Sequence, residues 1–388
     1  MQKSDFPLER MIGIHYYLTD TPGMGGRLRQ SCEDFRVTEV PVEKEEEPDG
    51  DYTYFTLEKT NWDTIRALSA LSKALGVSRK RFGFAGTKDR RALTRQQIAV
   101  WKVPPERLEK VSISGLRLSS FRRCGERLNM GELLGNEFEI TVREPLVCDG
   151  EVIGECQRQV AERGVPNYFG YQRFGVIRPN THVIGERIVK GDVEGAVMSY
   201  LADHYDGEQE DAREARKALK ETMDFKAALE SFPRRLGYER AMLDHLARHP
   251  TDFAGALRRL HKKLRQMLVH GYQSYLFNLV LSRIIEEGMD IHGVQIPLFG
   301  YRTVLSQGRQ GEIEREVLEE HDVELQDFRI PMLPELSSRG AMRQALLEPD
   351  VRYRQNRDGS FTFRFFLSKG NYATMVMREF MKTDPVNY

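Results

Sequence analysis

The stretch EFEITVR, Glu137–Arg143, predicts a β-strand with one buried face. Phe138, Ile140 and Val142 alternate with polar residues, and an apolar residue at every second position is typical of a half-buried strand. The stretch FTFRFFL, Phe361–Leu367, shows the same alternation close to the C-terminus. We therefore expect a C-terminal strand that joins the sheet of the N-terminal part.

A third strand, Tyr52–Leu57, is followed by a predicted helix. Apolar residues recur at helical spacing between Ile65 and Leu75, which is the pattern of an amphipathic helix. Thr60 and Asp63 resemble a capping box at its start, and Gly76 suits its end.

The middle of the chain is more helical and more highly charged. Asp206–Asp224 has the pattern of an exposed helix with few apolar anchors. A long amphipathic helix is predicted from His261 to Glu287, with an apolar stripe that includes Met267, Tyr275 and Leu279. A shorter helix is predicted close to the C-terminus.

Strands and helices alternate irregularly, so the fold class is α+β rather than a regular βαβ series. The simplest organisation is one α+β domain, residues 1–175 plus 340–388, that carries an inserted and more helical domain, residues 176–339.

Composition limits the class of protein. The chain has 388 residues, 40% of them hydrophobic, so two or three domains are expected. No apolar run is long enough to span a bilayer, and the N-terminus lacks the apolar stretch of a secretory signal. The four cysteines are scattered without a C-x-x-C pair, which argues against a disulfide framework or zinc ribbon. We expect a cytoplasmic protein that is not bound to a membrane.

Positive charge is concentrated around one carboxylate. The 58 basic and 58 acidic residues cancel, so a preference for a polyanion depends on where the charges lie. Between Arg79 and Arg95, seven Lys or Arg residues surround the single acidic residue Asp89. Further basic clusters occur at Arg258–Arg265 and Arg352–Arg357.

Two interpretations of Asp89 fit these charges. In the first, the segment is a basic surface hairpin in which Asp89 caps a turn. In the second, the surrounding cations keep Asp89 ionised and also hold the phosphates of a nucleic acid. An ionised Asp beside phosphate-binding cations suits nucleophilic or general-base chemistry.

The stretch PNYFGYQRFG, Pro166–Gly175, places four aromatic residues among hydrogen-bonding side chains. It predicts either an aromatic core turn or a clamp for an extruded base, in which a ring stacks on the base and an amide binds its edge. Other familiar sites are missing: there is no phosphate-binding glycine motif and no G-x-S-x-G elbow. His245 and His249 lack a third ligand of matching spacing, so no metal site is predicted.

Five stretches together resemble the TruD family of tRNA pseudouridine synthases. GFAGTKDRRALTRQ (Gly83–Gln96) is similar to the family pattern G-x-K-D-x-x-A-x-T-x-Q, and PNYFGYQRFG is similar to N-Y-F-G-x-Q-R-F-G. EDFRVTEVP (Glu33–Pro41) resembles the opening E-D-F-x-V-x-E. QSYLFN (Gln273–Asn278) and SKGNYATMVMREFMK (Ser368–Lys382) match in character. The matches occur in order across nearly the whole chain.

The resemblance implies a mixed, mainly antiparallel sheet of the pseudouridine synthase type with a large inserted, more helical α+β domain. It implies an isomerase that breaks the N1–C1′ bond of a uridine, turns the base and rejoins it through C5. Asp89 would be the catalytic carboxylate; attack on C6, attack on C1′ and proton removal from C2′ all remain open. The partner would be tRNA, modified at uridine 13 of the D arm. No metal or organic cofactor is implied, because the reaction has no redox step and breaks no phosphate ester.

The resemblance also implies substrate-binding residues. Phe169 would stack on the flipped base, and Asn167 would form a hydrogen bond near that base or near the Asp89 loop; a turn cap is the alternative for Asn167. Lys88 is a further substrate-binding candidate. Arg29 occupies the position where the family usually has Lys, and it keeps the charge but presents a planar fork.

Two other functions compete with catalysis of this kind. A non-catalytic RNA-binding protein or tRNA chaperone of the same fold is the main alternative, and the carboxylate at position 89 argues against it. A carboxylate-dependent nuclease would need acidic metal ligands near Asp89, where the sequence is basic. The oligomeric state stays open, with a monomer as the expectation.

Overall fold

A computed structural model describes all 388 residues, Met1–Tyr388. The chain packs as two compact units, each formed from two segments. Residues 18–165 and 348–388 form the sheet unit, and residues 1–17 and 166–347 form the helical unit. This division is one of packing; the domains inferred from the sequence, with boundaries near 175 and 340, stay a prediction.

The chain contains fourteen strands and thirteen α-helices. The strands are β1 Gln2–Lys3, β2 Tyr16–Tyr17, β3 Phe35–Pro41, β4 Tyr52–Thr60, β5 Phe82–Phe84, β6 Leu93–Trp101, β7 Leu116–Cys124, β8 Leu133–Val142, β9 Val165–Pro166, β10 Gln295–Leu298, β11 Ala341–Gln344, β12 Leu346–Leu347, β13 Arg352–Gln355 and β14 Phe361–Ser368. The helices are α1 Pro7–Met11, α2 Thr64–Leu75, α3 Pro105–Glu109, α4 Gly150–Arg163, α5 Thr181–Val189, α6 Val193–Ala202, α7 Glu210–Thr222, α8 Phe225–Ser231, α9 Gly237–Arg248, α10 Phe253–Arg258, α11 Lys262–Glu286, α12 Gly308–Glu320 and α13 Ala373–Met381. None of these helices combines the length and the apolar character needed to cross a membrane.

The sheet unit is built on one eight-stranded sheet. The strand order is β13-β14-β8-β3-β6-β4-β7, with β5 paired to β6. Only β3 and β6 are parallel; the other pairs are antiparallel. The C-terminal strand β14 pairs with β8 and places Phe361 opposite Val142. The structure therefore confirms the predicted α+β class, the mixed and mainly antiparallel sheet, and the return of the C-terminal strand.

The two faces of this sheet differ in chemistry. On the inner face, Phe55, Leu57 and Ile98 pack against α2, and Phe363 of β14 packs against Phe380 of α13 with 4.9 Å between ring centroids. The outer face carries polar residues, because the side chains alternate along each strand. The buried face is thus apolar where the helices cover it.

Helix α2 begins and ends close to its predicted limits. The Asp63 side chain is the N-cap and accepts hydrogen bonds from the N–H groups of Ile65 and Arg66. Gly76 ends the helix with φ of 63°, a left-handed conformation that glycine adopts without steric cost. The predicted capping box was wrong in one member, because Thr60 is the last residue of β4.

The helical unit is organised around α11. Helix α5 approaches α11 closely at Gly185, where an added Cβ would lie 2.1 Å from the carbonyl oxygen of Leu268. The predicted apolar stripe was too narrow: Met267 is 39% exposed, whereas Tyr272 and Phe277 are fully buried. Helix α11 is therefore buried on several sides rather than along one stripe. The predicted exposed helix is confirmed as α7.

Candidate active site

Asp89 lies in the loop between β5 and β6 of the sheet unit. Its side chain is 49% exposed, while the loop backbone beneath it is fixed by buried polar groups. A reactive carboxylate can therefore be open to a substrate without resting on a mobile loop.

Lys59 holds this loop from below. Its side chain is fully buried, and its Nζ donates to the carbonyl oxygens of Trp62, Lys88 and Asp89 at 2.7, 3.2 and 2.8 Å. Three acceptors match the three donors of an ammonium group. Burial lowers the pKa of Lys59 to about 8, against the opposing effect of the Asp89 and Asp63 charges.

Two further side chains fix the start of the same loop. The Thr64 Oγ1 accepts from the backbone N–H of Lys88 at 3.0 Å and donates to Gln96 Oε1 at 2.9 Å. Gln96 Nε2 in turn donates to the carbonyl oxygen of Gly86 at 2.9 Å. The Gln of the G-x-K-D pattern is therefore a structural brace of the loop.

Lys88 is buried beside Asp89. Its Nζ lies 2.7 Å from the carboxylate of Glu39 on β3, and the two side chains are 6% and 1% exposed. Glu39 also accepts from the backbone N–H of Gln97 at 3.1 Å. This pair joins the loop to two strands; the role of Lys88 in substrate binding stays a prediction.

Arg29 is the cation that contacts Asp89 directly. Its Nη2 donates to Asp89 Oδ2 at 2.7 Å, and its guanidinium lies 4.0 Å from the ring centroid of Phe35. The backbone of Arg29 is left-handed, with φ of 58°, and Arg91 donates to its carbonyl oxygen at 3.1 Å. Burial lowers the pKa of Arg29, and the Asp89 charge acts in the opposite direction.

The two carboxylate oxygens of Asp89 differ in their hydrogen bonding. Oδ2 of Asp89 is held by Arg29, whereas Oδ1 makes no hydrogen bond within the protein. An oriented carboxylate with one free oxygen can act as a nucleophile or as a general base.

Phe169 lies in the helical unit and is only 5% exposed. Its backbone is held at both ends by Asn278 of α11, which accepts from the Phe169 N–H and donates to its carbonyl oxygen. Phe277 meets the ring edge-on at 5.4 Å. The guanidiniums of Arg343 and Arg173 lie 4.2 and 5.4 Å from the ring centroid.

Asn167 ties the same segment to β11. Its Nδ2 donates to the carbonyl oxygen of Gln344 at 2.9 Å, and its Oδ1 accepts from Arg343. Tyr171 is buried and donates its hydroxyl to Glu9, as expected for a core aromatic residue. The structure thus brings Arg29, Lys88 and Asp89 together in one unit, and Asn167 with Phe169 in the other.

Sequence reasoning missed several of these supporting residues, among them Lys59. A usable signal was present: Lys59 continues the inward alternation of Phe55 and Leu57 along β4. A charged residue at a buried position needs polar partners, so its place in the pattern pointed to a built polar site. Glu39 gave the same signal, because it continues the inward alternation of Phe35 and Val37 along β3. Thr64 and Arg343 carried no comparable signal.

Other charged groups lie away from Asp89. A depression of about 600 Å³ on the outer face of the sheet is lined by four arginines and by acidic residues that balance them. Arg95 pairs with Glu58 at 2.5 Å, and Arg364 pairs with Glu139 at 2.5 Å. This face is opposite the one on which Arg29 packs. No group of three or more His, Cys, Asp or Glu side chains is placed to hold a metal ion.

Comparisons with known proteins give one family. The family model described as tRNA pseudouridine synthase D (TruD) matches residues 11–295 and 291–380. The "probable tRNA pseudouridine synthase D" of Methanosarcina barkeri is 39% identical over an alignment of 431 positions, gaps included, that covers 98% of each chain. The protein of the same description from Methanopyrus kandleri is 46% identical over 351 residues, 87% of each chain.

A solved structure agrees with these sequence matches. The crystal structure of the "putative tRNA pseudouridine synthase D (TruD)" of Methanosarcina mazei superposes with a TM-score of 0.86 at 37% identity. The similarity covers 99% of this chain and 100% of that chain. It therefore extends over both units.

Proposed function

Because this chain belongs to the TruD family of tRNA pseudouridine synthases, it is an isomerase that converts uridine in tRNA to pseudouridine, and we propose that Asp89 is its catalytic carboxylate. The observation that carries the proposal is the Asp89 side chain itself. It is half-exposed, held through Oδ2 by Arg29 at 2.7 Å, and based on a loop that Lys59 fixes from below.

The free oxygen of Asp89 suits each of the three chemical roles that the reaction allows. Oδ1 would attack C6 of the base, attack C1′ of the ribose, or take the proton from C2′. In every case the N1–C1′ bond breaks, the base turns, and a C5–C1′ bond forms as C5 gives up its proton and N1 gains one. Arg29 would hold the carboxylate in position while its charge changes.

The base would be held by the helical unit. Phe169 offers a ring that stacks on a flipped uracil, and stacking of this kind contributes about 1–3 kcal/mol per base. In the free protein the Arg343 guanidinium lies 4.2 Å from that ring, so a base that uses the same face must displace it. Asn167 would then be released from Arg343 to bind the edge of the base. Lys88 is paired with Glu39 at 2.7 Å, so it would bind the substrate only after leaving that carboxylate.

The substrate uridine would be position 13 in the D arm of tRNA. This assignment follows from the family resemblance of the two motifs that contain Asp89 and Phe169. Extrusion of the nucleotide costs a few kcal/mol of stacking, which contacts to Phe169 and to phosphates would offset.

The test is the conversion of uridine in a tRNA pool by wild type and by Asp89→Asn. The substitution keeps the size of the side chain but removes its charge and basicity. We expect near-normal folding and tRNA binding, with pseudouridine formation reduced below detection when it is measured by mass as the loss of a deuterium label from C5 of uridine. Asp49→Asn, at an exposed position without side-chain partners, is the matched control and should be fully active.

Two outcomes would contradict the proposal. Substantial product from Asp89→Asn would remove Asp89 from the chemistry. Binding of tRNA by the wild type without any pseudouridine would favour the non-catalytic RNA-binding alternative.

A further inference from the structure

Two arginines lie beside the ring of Tyr301 on the surface of the helical unit, and a third is joined to them through the backbone, outside the site described above. The guanidinium of Arg329 lies 4.8 Å from the Tyr301 ring centroid, and that of Arg302 lies at 6.0 Å. Arg339 is joined to the same place through its backbone, because the Arg302 N–H donates to the Arg339 carbonyl oxygen at 3.2 Å. We call Tyr301, Arg302, Arg329 and Arg339 the Tyr301 patch.

The charges of this patch are not neutralised. Arg302, Arg329 and Arg339 are all exposed, and none of their side chains takes part in an ion pair or a hydrogen bond within the protein. By contrast, the charge of Arg309 in the same unit is neutralised by ion pairs with Glu287, Glu312 and Glu316. A guanidinium beside an aromatic ring keeps its N–H groups available in its own plane. The Tyr301 patch therefore presents free donors with the geometry that phosphate oxygens accept.

The backbone under the patch is closely packed. The Tyr301 N–H donates to the Ser338 carbonyl oxygen at 3.0 Å, and Thr303 Oγ1 accepts from the Gly300 N–H at 2.9 Å. An added Cβ on Gly300 would lie 2.1 Å from the Gly340 nitrogen. Only glycine allows two chain segments to approach so closely, so the arginines extend from a defined platform.

The platform continues into the strand that supports Phe169. Strand β11 starts at Ala341, two residues after Arg339, and Arg343 of this strand lies over the Phe169 ring. An extended chain rises about 3.3 Å per residue, so the Cα atoms of Arg339 and Arg343 are at most about 13 Å apart. The patch and the ring thus lie within a few nucleotides of each other on an extended RNA strand.

From these contacts we propose that the Tyr301 patch binds phosphates of the tRNA strand that flanks the uridine held at Phe169. The inference rests on the proposed function, since it takes Phe169 as the place of the flipped base. The binding is electrostatic and independent of sequence, because guanidiniums that contact phosphates carry no information about bases. The patch positions the strand and takes no part in bond making.

The test compares tRNA binding by the double variant R329Q/R339Q with that by the wild type. We expect the Kd to rise roughly tenfold, and the slope of log Kd against log salt concentration to fall by about one for each phosphate that the variant no longer binds. kcat at saturating tRNA should stay unchanged. The matched control is R234Q/R315Q, which removes two exposed and unpaired arginines of the same unit and should bind as the wild type does.

A second pair of variants tests the ring. Tyr301→Phe keeps the aromatic face and should bind tRNA normally, whereas Tyr301→Leu should weaken binding severalfold at an unchanged melting temperature. If R329Q/R339Q keeps the wild-type Kd and salt slope while the wild type forms pseudouridine, the patch is not an RNA contact and the inference fails alone. If the wild type binds tRNA but forms no pseudouridine, the proposed function fails first.

Discussion

Arg29 adopts a conformation that a non-glycine residue normally avoids. A left-handed φ costs on the order of 1–2 kcal/mol for such a residue, and the Arg29 Nε is buried without a hydrogen-bond partner. Three contacts of Arg29 offset these two unfavourable energies: the ring of Phe35, the hydrogen bond from Arg91 and the hydrogen bond to Asp89. Strain held by its surroundings at a candidate site points to a functional constraint, here the position of the guanidinium against Asp89.

The first prediction at this scale concerns the identity of that cation. Arg29→Met should lower kcat by roughly a hundredfold, because it removes a preorganised charge beside the reacting group. Arg29→Lys should recover most of that activity, since a single N–H···O contact at 2.7 Å joins the pair. Single-turnover rates at saturating tRNA measure both. Equal rates for the Met and Lys variants would show that the charge is not what matters.

The second prediction concerns Lys59. Lys59→Met should reduce kcat at least tenfold with little change in tRNA Kd, because three carbonyl groups beneath Asp89 lose their donor. Each orphaned group also costs about 1–3 kcal/mol of stability, so rates must be measured well below the melting temperature. Lys73→Met, at an exposed position of α2, is the control.

A pH profile separates this role from simple destabilisation. Burial lowers the pKa of Lys59 to about 8, so the ammonium loses one of its three donors as the pH rises through that value. The wild-type rate should therefore fall above pH 8, and Lys59→Met should lack this decline. The same decline in both proteins would exclude Lys59 as its cause.

The roles of residues were predictable from the sequence where a motif, or an alternation of buried and exposed positions along a strand, marked them. The position of Asp89 among cations was visible in the sequence, and the structure places Arg29 in contact with it. The Lys88–Glu39 pair was not predictable, because the two residues are 49 positions apart and meet only through the pairing of β3 with β6.

At the scale of elements, prediction was most accurate where burial is one-sided. β8, β14 and α2 each bury a single face, and the period of their apolar residues follows directly from that geometry. Helix α11 is packed on several sides, so its apolar residues have no single stripe and the predicted face was wrong. Strand order depends on long-range pairing, which local periodicity does not contain.

The third prediction concerns His182 on α5. The ring is 5% exposed, between Phe174 at 5.4 Å and Tyr275 at 4.7 Å, and its Nδ1 has no partner. Burial lowers the pKa of His182 to about 4, with the neighbouring His321 acting in the same direction. An unfolded chain with an ordinary His pKa of about 6.5 binds more protons between these values, so stability falls as the pH falls.

The size of this effect can be measured by urea unfolding. The free energy of unfolding should drop by about 2 kcal/mol from pH 7 to pH 5 on account of His182 alone. His182→Phe keeps an aromatic ring but cannot be protonated. Its free energy of unfolding should therefore drop about 2 kcal/mol less than that of the wild type between pH 7 and pH 5. His249→Gln, at an exposed histidine whose side chain makes no hydrogen bond or ion pair, should retain the full wild-type dependence. Parallel pH curves for wild type and His182→Phe would refute the prediction.

At the scale of the whole molecule, the chain is a set of interleaved segments. The sheet unit takes its strands from residues 35–142 and 352–368, and the helical unit contains both the first 17 residues and residues 166–347. The sequence pattern predicted the return of β14 because its alternation matched that of β8. It did not predict that the N-terminal segment packs with the helices. The side chains of Asn278 and Ser282 on α11 donate hydrogen bonds to the carbonyl oxygens of Ile12 and Gly13, and such bonds leave no periodic pattern in the sequence.

The last prediction is the position of the modified uridine. Two transcripts of one tRNA, identical except for uridine or cytidine at position 13, should behave differently with the wild-type protein. The first should gain one pseudouridine and the second none, because the second transcript has no uridine at the proposed target position. Chemical labelling followed by primer extension locates the product, and Asp89→Asn supplies the background. Product at another position in both transcripts would move the target away from the D arm while leaving the isomerase and its carboxylate in place. If the two transcripts bind with unequal Kd, uridine and cytidine are instead distinguished when the base binds at Phe169, before any bond is broken.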